Sequence, residues 1–161
     1  MSDSSADKQL ASALGRIPSG LFIVTVRHGD AETGMLASWV QQCSFDPPQL
    51  TLAVRHGRDL NDGLTEGAAF TVNILTEDQT DMIAHFGRGF GPGESPFDGV
   101  EIDRPGGGPA VLKEALAYLE CRVAGRLAAG DHDVIVGTVV AGDLLNEDAP
   151  MVHVRKNGAH Y

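Results

Sequence analysis

Apolar residues in this chain occur in short runs rich in Val, Ile, Leu and Phe, and turn-forming residues separate the runs. Runs of this length and composition predict β-strands at short intervals along the chain. Two stretches instead space their apolar residues as helices do, residues 9–17 and 76–86. In the second stretch, Thr76 and Gln79 have the spacing of a capping box. The predicted strands cover residues 21–26, 34–45, 49–54, 69–75, 117–126, 134–144 and 151–154.

The remaining segments are predicted to be connections. Residues 55–67 are expected to form a loop and a short helix, for which Asp59 is the candidate N-cap. Residues 87–108 are rich in glycine and proline and longer than most loops, so they are either a functional excursion or locally ordered. At 161 residues, the whole chain (1–161) is predicted to be one domain with residues 1–8 as a flexible tail. Because strands dominate, the pattern predicts a mainly β barrel.

The segment 34–48 is distinctive because it carries small and hydroxyl side chains where a packed strand would carry bulky ones. If residues 34–45 form one strand, their side chains alternate between two faces. One face carries hydrogen-bonding groups at Ser38, Gln42 and Ser44. The other face is mostly apolar and is predicted to lie in the core, with Ala37, Trp39, Cys43 and Phe45. The polar face meets either water or a polar ligand, and alternation does not decide between them.

The charge of the chain limits the ligands that it can bind. The net charge is −10, and nucleic-acid binding needs a basic surface, so nucleic acid is excluded as a partner. An anionic small ligand would bind only where basic side chains or backbone N–H groups are concentrated. The densest basic cluster is Arg55, His56 and Arg58, directly after the strand 49–54. Arginine binds phosphate through paired hydrogen bonds, and Gly57 permits close approach, so the cluster is either a phosphate site or a solvated turn.

Composition also bears on the compartment. No apolar run approaches the roughly 18 residues needed to cross a membrane. The N-terminal residues lack the basic and then apolar pattern of a secretion signal. Cys43 and Cys121 lie in apolar runs and are predicted to be reduced core residues, with a disulfide as the minor alternative. These features predict a cytoplasmic protein without membrane contact, and the scattered histidines do not have the spacing of a metal site.

Three further side chains are candidates for ligand contact. Asn73 lies within the predicted strand 69–75, where asparagine usually marks an edge, a bulge or a ligand. His132 follows Gly130 and Asp131 in a turn between the last two long strands. Trp39, the only tryptophan, is either a core residue or a ring that stacks on a ligand.

Taken in order, seven fragments resemble the flavin reductase-like family, the FMN-binding split barrels that include the short-chain NAD(P)H:flavin oxidoreductases. The most specific pair is SFDPP together with GDH followed by an apolar strand that ends in glycine. The resemblance extends over residues 13–153. The fragments are ALGRIPSGLFIVTV (13–26), GMLASWVQQCSFDPP (34–48), LAVRHGRDLNDGL (52–64), AFTVNIL (69–75), FDGVEI (97–102), LAYLECRV (116–123) and GDHDVIVGTVV (130–140).

The resemblance implies a six-stranded antiparallel split β-barrel with a few short flanking helices, and a homodimer with flavin in a groove near the subunit interface. It implies an oxidoreductase that reduces FMN, or FAD, with NADH or NADPH. Some members of the family supply reduced flavin to a partner monooxygenase. The alternative is a flavin-binding electron carrier or a flavin-binding protein that turns over no dinucleotide of its own.

The resemblance also implies roles for particular residues. The basic cluster of Arg55, His56 and Arg58 would meet the flavin phosphate, and the strand that carries Asn73 would end against the flavin. His132 would lie beside the flavin and the nicotinamide, which makes it the candidate catalytic residue. Leu60 stands where the family has a threonine, so the hydroxyl near the phosphate must come from another residue or be replaced by Arg58. The segment 34–48 would contact the flavin through Met35, Leu36, Ala37, Ser38, Trp39, Gln42 and Ser44.

Overall fold

The computed structural model describes residues 4–91 and 93–160. Its helices are α1 (Ser5–Leu14), α2 (Asp59–Gly63) and α3 (Thr80–Gly87). Its strands, in chain order, are β1 (Ser19–Gly20), β2 (Phe22–His28), β3 (Ala31–Ala37), β4 (Val40–Phe45), β5 (Pro48–Arg55), β6 (Ala69–Ile74), β7 (Ile102–Asp103), β8 (Val111–Leu112), β9 (Ala117–Ala129), β10 (His132–Leu144) and β11 (Val152–His153).

One antiparallel sheet of seven strands organises the molecule, in the order β3-β2-β6-β9-β10-β5-β4. The prediction of a mainly β, antiparallel fold with a few short helices is confirmed. The sheet has one strand more than the six expected, because residues 34–45 form two strands, β3 and β4, rather than one.

The two edge strands of this sheet are neighbours in the chain. β3 and β4 lie at opposite ends of the strand order, yet only Ser38 and Trp39 separate them. Seven strands about 4.8 Å apart would make a flat sheet about 29 Å wide. The chain from Ala37 to Val40 reaches at most about 11 Å. The sheet is therefore curled until its two edges approach each other at Ser38 and Trp39.

The core forms where the curled sheet and the short helices pack together. Val24, Leu52 and Phe70 come from three different strands, and all three side chains are fully buried. Leu60 of α2 is buried in the same cluster, and Phe86 of α3 belongs to a second cluster on the sheet. Burial of one such side chain contributes about 1.5–3 kcal/mol to folding. Both helices are thereby fixed to the sheet close to its β3 edge.

The structure corrects the core prediction for residues 34–45. Ala37 is buried, as expected, but Trp39 and Cys43 are exposed and Phe45 is 91% exposed. One periodicity cannot describe this segment, because β3 and β4 belong to different edges of the sheet. The register between β4 and β5 also shifts between Gln42 and Ser44, which moves the following side chains relative to the core.

Helix boundaries differ from the predictions at two places. α1 begins at residue 5, because the Ser4 hydroxyl accepts a hydrogen bond from the Asp7 backbone N–H at 3.2 Å, so the predicted tail is helical from that point. Arg58, rather than Asp59, is the N-cap residue of α2. None of the helices in residues 4–91 and 93–160 is long and apolar enough to cross a membrane.

The predicted capping box forms only in part. The Gln79 side-chain oxygen accepts a hydrogen bond from the Thr76 backbone N–H at 2.9 Å, as the motif requires. The helix itself begins only at Thr80, four positions after the predicted cap. The bond therefore orders the approach to α3 rather than its first turn.

The glycine- and proline-rich segment 87–108 is locally ordered, which was one of its two expected states. The His85 imidazole lies 2.7 Å from the Pro96 carbonyl oxygen, and β7 within the segment pairs with β8. Arg104 donates two hydrogen bonds to the Glu32 carboxylate on β3. The segment is thus attached to the same edge strand that ends at Ser38.

Candidate functional site

The candidate site lies along β3, the edge strand that ends at the Ser38–Trp39 break. β3 pairs with β2, and among the described residues its other edge has no strand partner. An edge strand presents unpaired backbone N–H and C=O groups. The side chains at its end, Ala37 and Ser38, are small and largely buried. A planar ligand can therefore approach the backbone of residues 35–38 closely.

The pairing of β5 with β10 brings two distant motifs together at this edge. His132, the first residue of β10, lies opposite Arg55, the last residue of β5. The His56 backbone N–H donates to the Asp131 carbonyl at 2.9 Å, which fixes the turn against the strand end. The basic cluster and the Gly130–His132 turn thus meet through register, which no local pattern specifies.

His132 has the most distinctive environment in the site. Its side chain is 7% exposed, and Nδ1 lies 2.7 Å from the Asp131 carboxylate. An ionised carboxylate can only accept, so Nδ1 carries a proton. Nε2 is buried and has no hydrogen-bond partner in the described part of the chain. Such a group costs about 1–3 kcal/mol, and a ligand that bonds Nε2 recovers this free energy.

Aromatic and cationic side chains flank His132. The Trp39 and His132 rings have centroids 4.8 Å apart and are inclined by 45°. The Arg155 guanidinium lies 5.1 Å from the centroid of the Trp39 ring. Trp39, exposed in its strand context, therefore forms a wall of the site with a charge on its far side.

Four cavities follow one another along this edge. One of about 150 Å³ lies between Ser38, Arg55 and Arg58, and a second of about 190 Å³ continues past Arg58. A third of about 370 Å³ is lined by Trp39, His132 and both arginines. The fourth, of about 660 Å³, lies on the other side of Ser38. Because neighbouring cavities share lining residues, they form one groove rather than four separate sites.

The groove concentrates positive charge in an acidic chain. Arg58 lines three of the cavities, and in the described residues it forms no ion pair. Arg55 lies 3.8 Å from the Asp131 carboxylate, a pair between largely exposed side chains. The hydrogen bond with His132, more than the nearby Arg55, lowers the pKa of Asp131 below its ordinary value, against an opposing effect of burial. The Asp131 charge is thus occupied, and Arg58 is available to an anionic ligand.

The structure brings most of the predicted contact residues together. Seven of the twelve candidates line the cavities between β3 and the His132 turn: Met35, Leu36, Ala37, Ser38, Arg55, Arg58 and His132. Trp39 lines the same groove.

Three predicted contacts lie elsewhere. The His56 ring turns from the groove to Asp133, with Nε2 3.2 Å from Oδ1. Gln42 and Ser44 lie on β4, beyond the break, and Gln42 lines a different cavity. These side chains are displaced because the single strand on which the prediction rested is two strands.

Asn73 is a structural residue in this fold. Its side chain is fully buried and makes three hydrogen bonds, to the Ile23 and Ala110 carbonyls and from the Leu112 N–H at 2.8 Å. The amide therefore joins β2 to β8 and its preceding loop. Its hydrogen-bonding capacity is used within the chain, and we leave Asn73 out of the proposed site.

The structure adds residues that sequence patterns did not indicate. Leu60 is 2% exposed and packs in the core, so it offers no hydroxyl. Thr33 lines the same cavity of about 190 Å³ as Leu60 and Arg58, and it places a hydroxyl there. Phe86 of α3 lines both cavities next to Arg58. Only the pairing of β3 with β2 and the packing of α3 bring these side chains to the groove.

Comparison with known proteins identifies relatives over most of the chain. Residues 14–160 match the family model described as "Flavin reductase like domain". The chain is 40% identical over 159 residues to "Diflavin flavoprotein A 1" of Synechocystis sp. strain PCC 6803. That alignment covers 98% of this chain and 28% of the relative, so the chain spans little more than a quarter of the relative's length.

Solved structures share the fold. The Streptomyces globisporus C-1027 NADH:FAD oxidoreductase SgcE6 superposes with a TM-score of 0.83 at 28% identity, covering 93% of this chain and 88% of that one. The same enzyme in complex with NAD and FAD fragments gives a TM-score of 0.81 at 26% identity, covering 93% and 88% of the two chains.

Proposed function

Because the chain belongs to the flavin reductase-like domain family, we propose that it binds FMN or FAD in the groove along β3 and reduces the flavin with NADH or NADPH. SgcE6, an NADH:FAD oxidoreductase that has been solved with NAD and FAD fragments, supports both ligands. The relative named as a diflavin flavoprotein supports flavin binding.

One observation carries the proposal: the buried, unpartnered Nε2 of His132 at the groove. A folded protein rarely leaves a buried polar atom without a partner, and such an atom beside a cavity indicates a ligand. Ser38, which is 8% exposed and forms no side-chain hydrogen bond within the described residues, is a second such group. The residues present therefore fit a flat ligand with hydrogen-bonding groups along its edge.

The side chains of the groove divide the task of binding. When bound, the flavin accepts hydride and supplies the redox chemistry. The edge of β3 at residues 35–38 offers backbone hydrogen bonds, and Ala37 leaves room for the ring. Arg58 and the Thr33 hydroxyl line a common cavity suited to phosphate. His132 presents Nε2 and excludes water together with Trp39.

Absorbance and fluorescence measurements test this proposal. The purified protein is titrated with FMN and with FAD, and binding is followed by quenching of flavin fluorescence. NADH and NADPH are then added with excess flavin, and their oxidation is followed at the nicotinamide absorption band. Flavin binding with catalytic oxidation is the expected result. Absence of flavin binding contradicts the proposal.

A second candidate is a flavin-binding electron carrier that turns over no dinucleotide. The buried Leu60 favours it, because this side chain cannot supply a hydroxyl to the phosphate and the site departs from the family pattern there. The same titration separates the two functions. Bound flavin without oxidation of either nicotinamide nucleotide identifies the carrier.

We further propose that the protein is a homodimer and that it passes reduced flavin to a partner monooxygenase. Phe45 lies opposite Pro48, and Thr138 lies opposite Gln49, so Val140 and Phe45 are at the same end of neighbouring strands. Phe45 is 91% and Val140 59% exposed, beside a largely apolar cavity of about 420 Å³. Exposed apolar surface of this kind marks a protein interface. Transfer to a monooxygenase is tested by coupling the protein to a flavin-dependent hydroxylation assay.

A further inference from the structure

The largest cavity of the groove lies behind Ser38, and the proposed flavin-ring site leaves it unused. Its volume is about 660 Å³, within the range of roughly 300–1,000 Å³ typical of small-molecule sites. One wall is apolar and consists of Leu21, Leu36 and Ile83. The opposite wall is the C-terminal segment, residues 153–160. We call this space the C-terminal chamber.

The C-terminal wall is fixed to the rest of the molecule. The Gly158 N–H donates to the Ala11 carbonyl of α1 at 2.7 Å, and the Arg16 guanidinium donates to the Arg155 carbonyl at 2.9 Å. A Cβ at Gly15 would lie 2.6 Å from the Arg155 carbonyl oxygen, so glycine permits this close contact. The first residues of the segment pair with β1. The chamber is therefore preformed by backbone packing.

The charge of the chamber is the reverse of the charge of the chain. Its rim carries Arg155, Lys156, His153 and His160, and none of its described lining residues is acidic. The net charge of the chain is −10. Ser38, 8% exposed, adds a hydroxyl at the junction with the flavin groove. An apolar wall facing a cationic rim suits a ligand that combines an aromatic ring with phosphate.

We propose that the C-terminal chamber binds the phosphorylated adenosine half of a dinucleotide. The inference rests on the proposed function, because the flavin groove and the chamber share Leu36 and Ser38. A dinucleotide with its reacting ring in the groove can therefore extend its adenosine into the chamber. Two sources have this chemistry, the adenosine diphosphate half of FAD and the adenosine 2′-phosphate of NADPH.

Calorimetric titration with ADP and with adenosine 2′,5′-bisphosphate tests the chamber directly, without flavin or turnover. The informative variant is Lys156→Glu, which reverses one charge on the rim. Lys113→Glu is the matched control, because Lys113 is exposed and does not line the chamber. We expect Lys156→Glu to weaken binding of at least one probe about ten-fold or more, as for the loss of a charge-assisted contact. Lys113→Glu should bind as the wild type does.

The two sources are distinguished by the complete ligands. If the chamber holds FAD, Lys156→Glu lowers the affinity for FAD and leaves that for FMN unchanged. If it holds NADPH, the variant raises the KM for NADPH and leaves that for NADH unchanged. Failure of both probes to bind the wild type, or equal binding to the wild type and Lys156→Glu, overturns the proposal. Turnover without probe binding leaves the proposed reductase standing without the chamber, whereas probe binding without turnover does the opposite.

Discussion

The buried polar side chains near the groove differ in whether their hydrogen bonds are satisfied. His132 Nε2 has no partner in the described residues, whereas Asn73 makes three hydrogen bonds. Buried polar groups in folded proteins are nearly all paired, so the unpaired group indicates a ligand and the paired one a structural role. The sequence offered both residues as ligand contacts, because it specifies the chemical group and not its neighbours.

Replacing His132 by alanine removes the unpartnered nitrogen from the groove. We expect kcat/KM for nicotinamide oxidation with flavin to fall about 10–100-fold, which corresponds to the loss of a hydrogen bond of about 1.5–3 kcal/mol to a charged partner. Steady-state kinetics at the nicotinamide band provide the measurement. His28→Ala is the control, since His28 is exposed at the far end of β2. Unchanged rate and affinity in His132→Ala would remove this residue from the mechanism.

Replacing Asn73 by alanine leaves the Leu112 N–H and the Ile23 carbonyl without their side-chain partner. We expect the free energy of unfolding to fall by about 2–3 kcal/mol, and the melting temperature by roughly 4–12 °C for a chain of this size. Flavin affinity should not change. Thermal unfolding and flavin titration on the same preparation check both expectations. A loss of affinity at unchanged stability would return Asn73 to the ligand site.

At the scale of elements, two features of strand pairing build the site. The break at Ser38–Trp39 ends β3 beside the cavities, and the register of β10 on β5 sets His132 opposite Arg55. The sequence predicted the strands correctly but joined β3 and β4 into one. Composition does not record the bend, because Ser38 and Trp39 both occur within strands and neither forces the chain to turn.

The attachment of the segment 87–108 to β3 depends on Glu32. Its side chain is 14% exposed and accepts hydrogen bonds from Arg104 and, at 2.7 Å, from the Ala110 N–H. Burial by itself would raise the pKa of Glu32, but these hydrogen bonds and the Arg104 charge outweigh it and lower the pKa. The ionised form is therefore the one that stabilises the fold.

Glu32→Gln is expected to lower the free energy of unfolding at neutral pH by about 2 kcal/mol, and the melting temperature by about 4–8 °C. Because the folded-state pKa is lowered, the contribution of Glu32 is complete above its ordinary pKa of 4.5 and is lost as the pH falls through the lower folded value. The difference between wild type and variant should shrink below that pH. Thermal unfolding across a pH series, with the exposed Glu77→Gln as control, provides the measurement. A difference independent of pH would contradict the role of this carboxylate.

At the scale of the whole molecule, the curled sheet joins its two edges and leaves apolar side chains at one end. Phe45 and Val140 are exposed there, whereas the cationic groove lies at the junction with β3. The alternation pattern assigned Phe45 to the core because it recognises apolar character and not the surface that this character covers. In the proposed homodimer the partner subunit covers it.

Val140→Glu is expected to shift the protein from dimer to monomer, because it places a charge in the proposed apolar interface. Leu127→Glu is the matched control, since Leu127 is 66% exposed on β9, near the hairpin that leads to His132. Sedimentation equilibrium measures the mass of both variants and of the wild type. A wild-type protein that remains monomeric, or a Val140→Glu variant that dimerises as the wild type does, would rule out this interface.

The sequence by itself determined the type of fold, the family, and most residues of the groove. These conclusions depend on local information, since apolar periodicity specifies strands and the motifs of residues 34–48 and 130–140 specify the family. The net charge restricted anionic ligands to the basic cluster, and Arg55 and Arg58 of that cluster line the groove.

Only the tertiary structure decided which polar groups are free to bind a ligand. The orphaned nitrogen of His132, the satisfied amide of Asn73 and the contribution of Thr33 all depend on partners distant in sequence. The physical reason is that strand register and sheet curvature arise from packing of the whole chain. A residue's own type and its immediate neighbours do not encode those contacts.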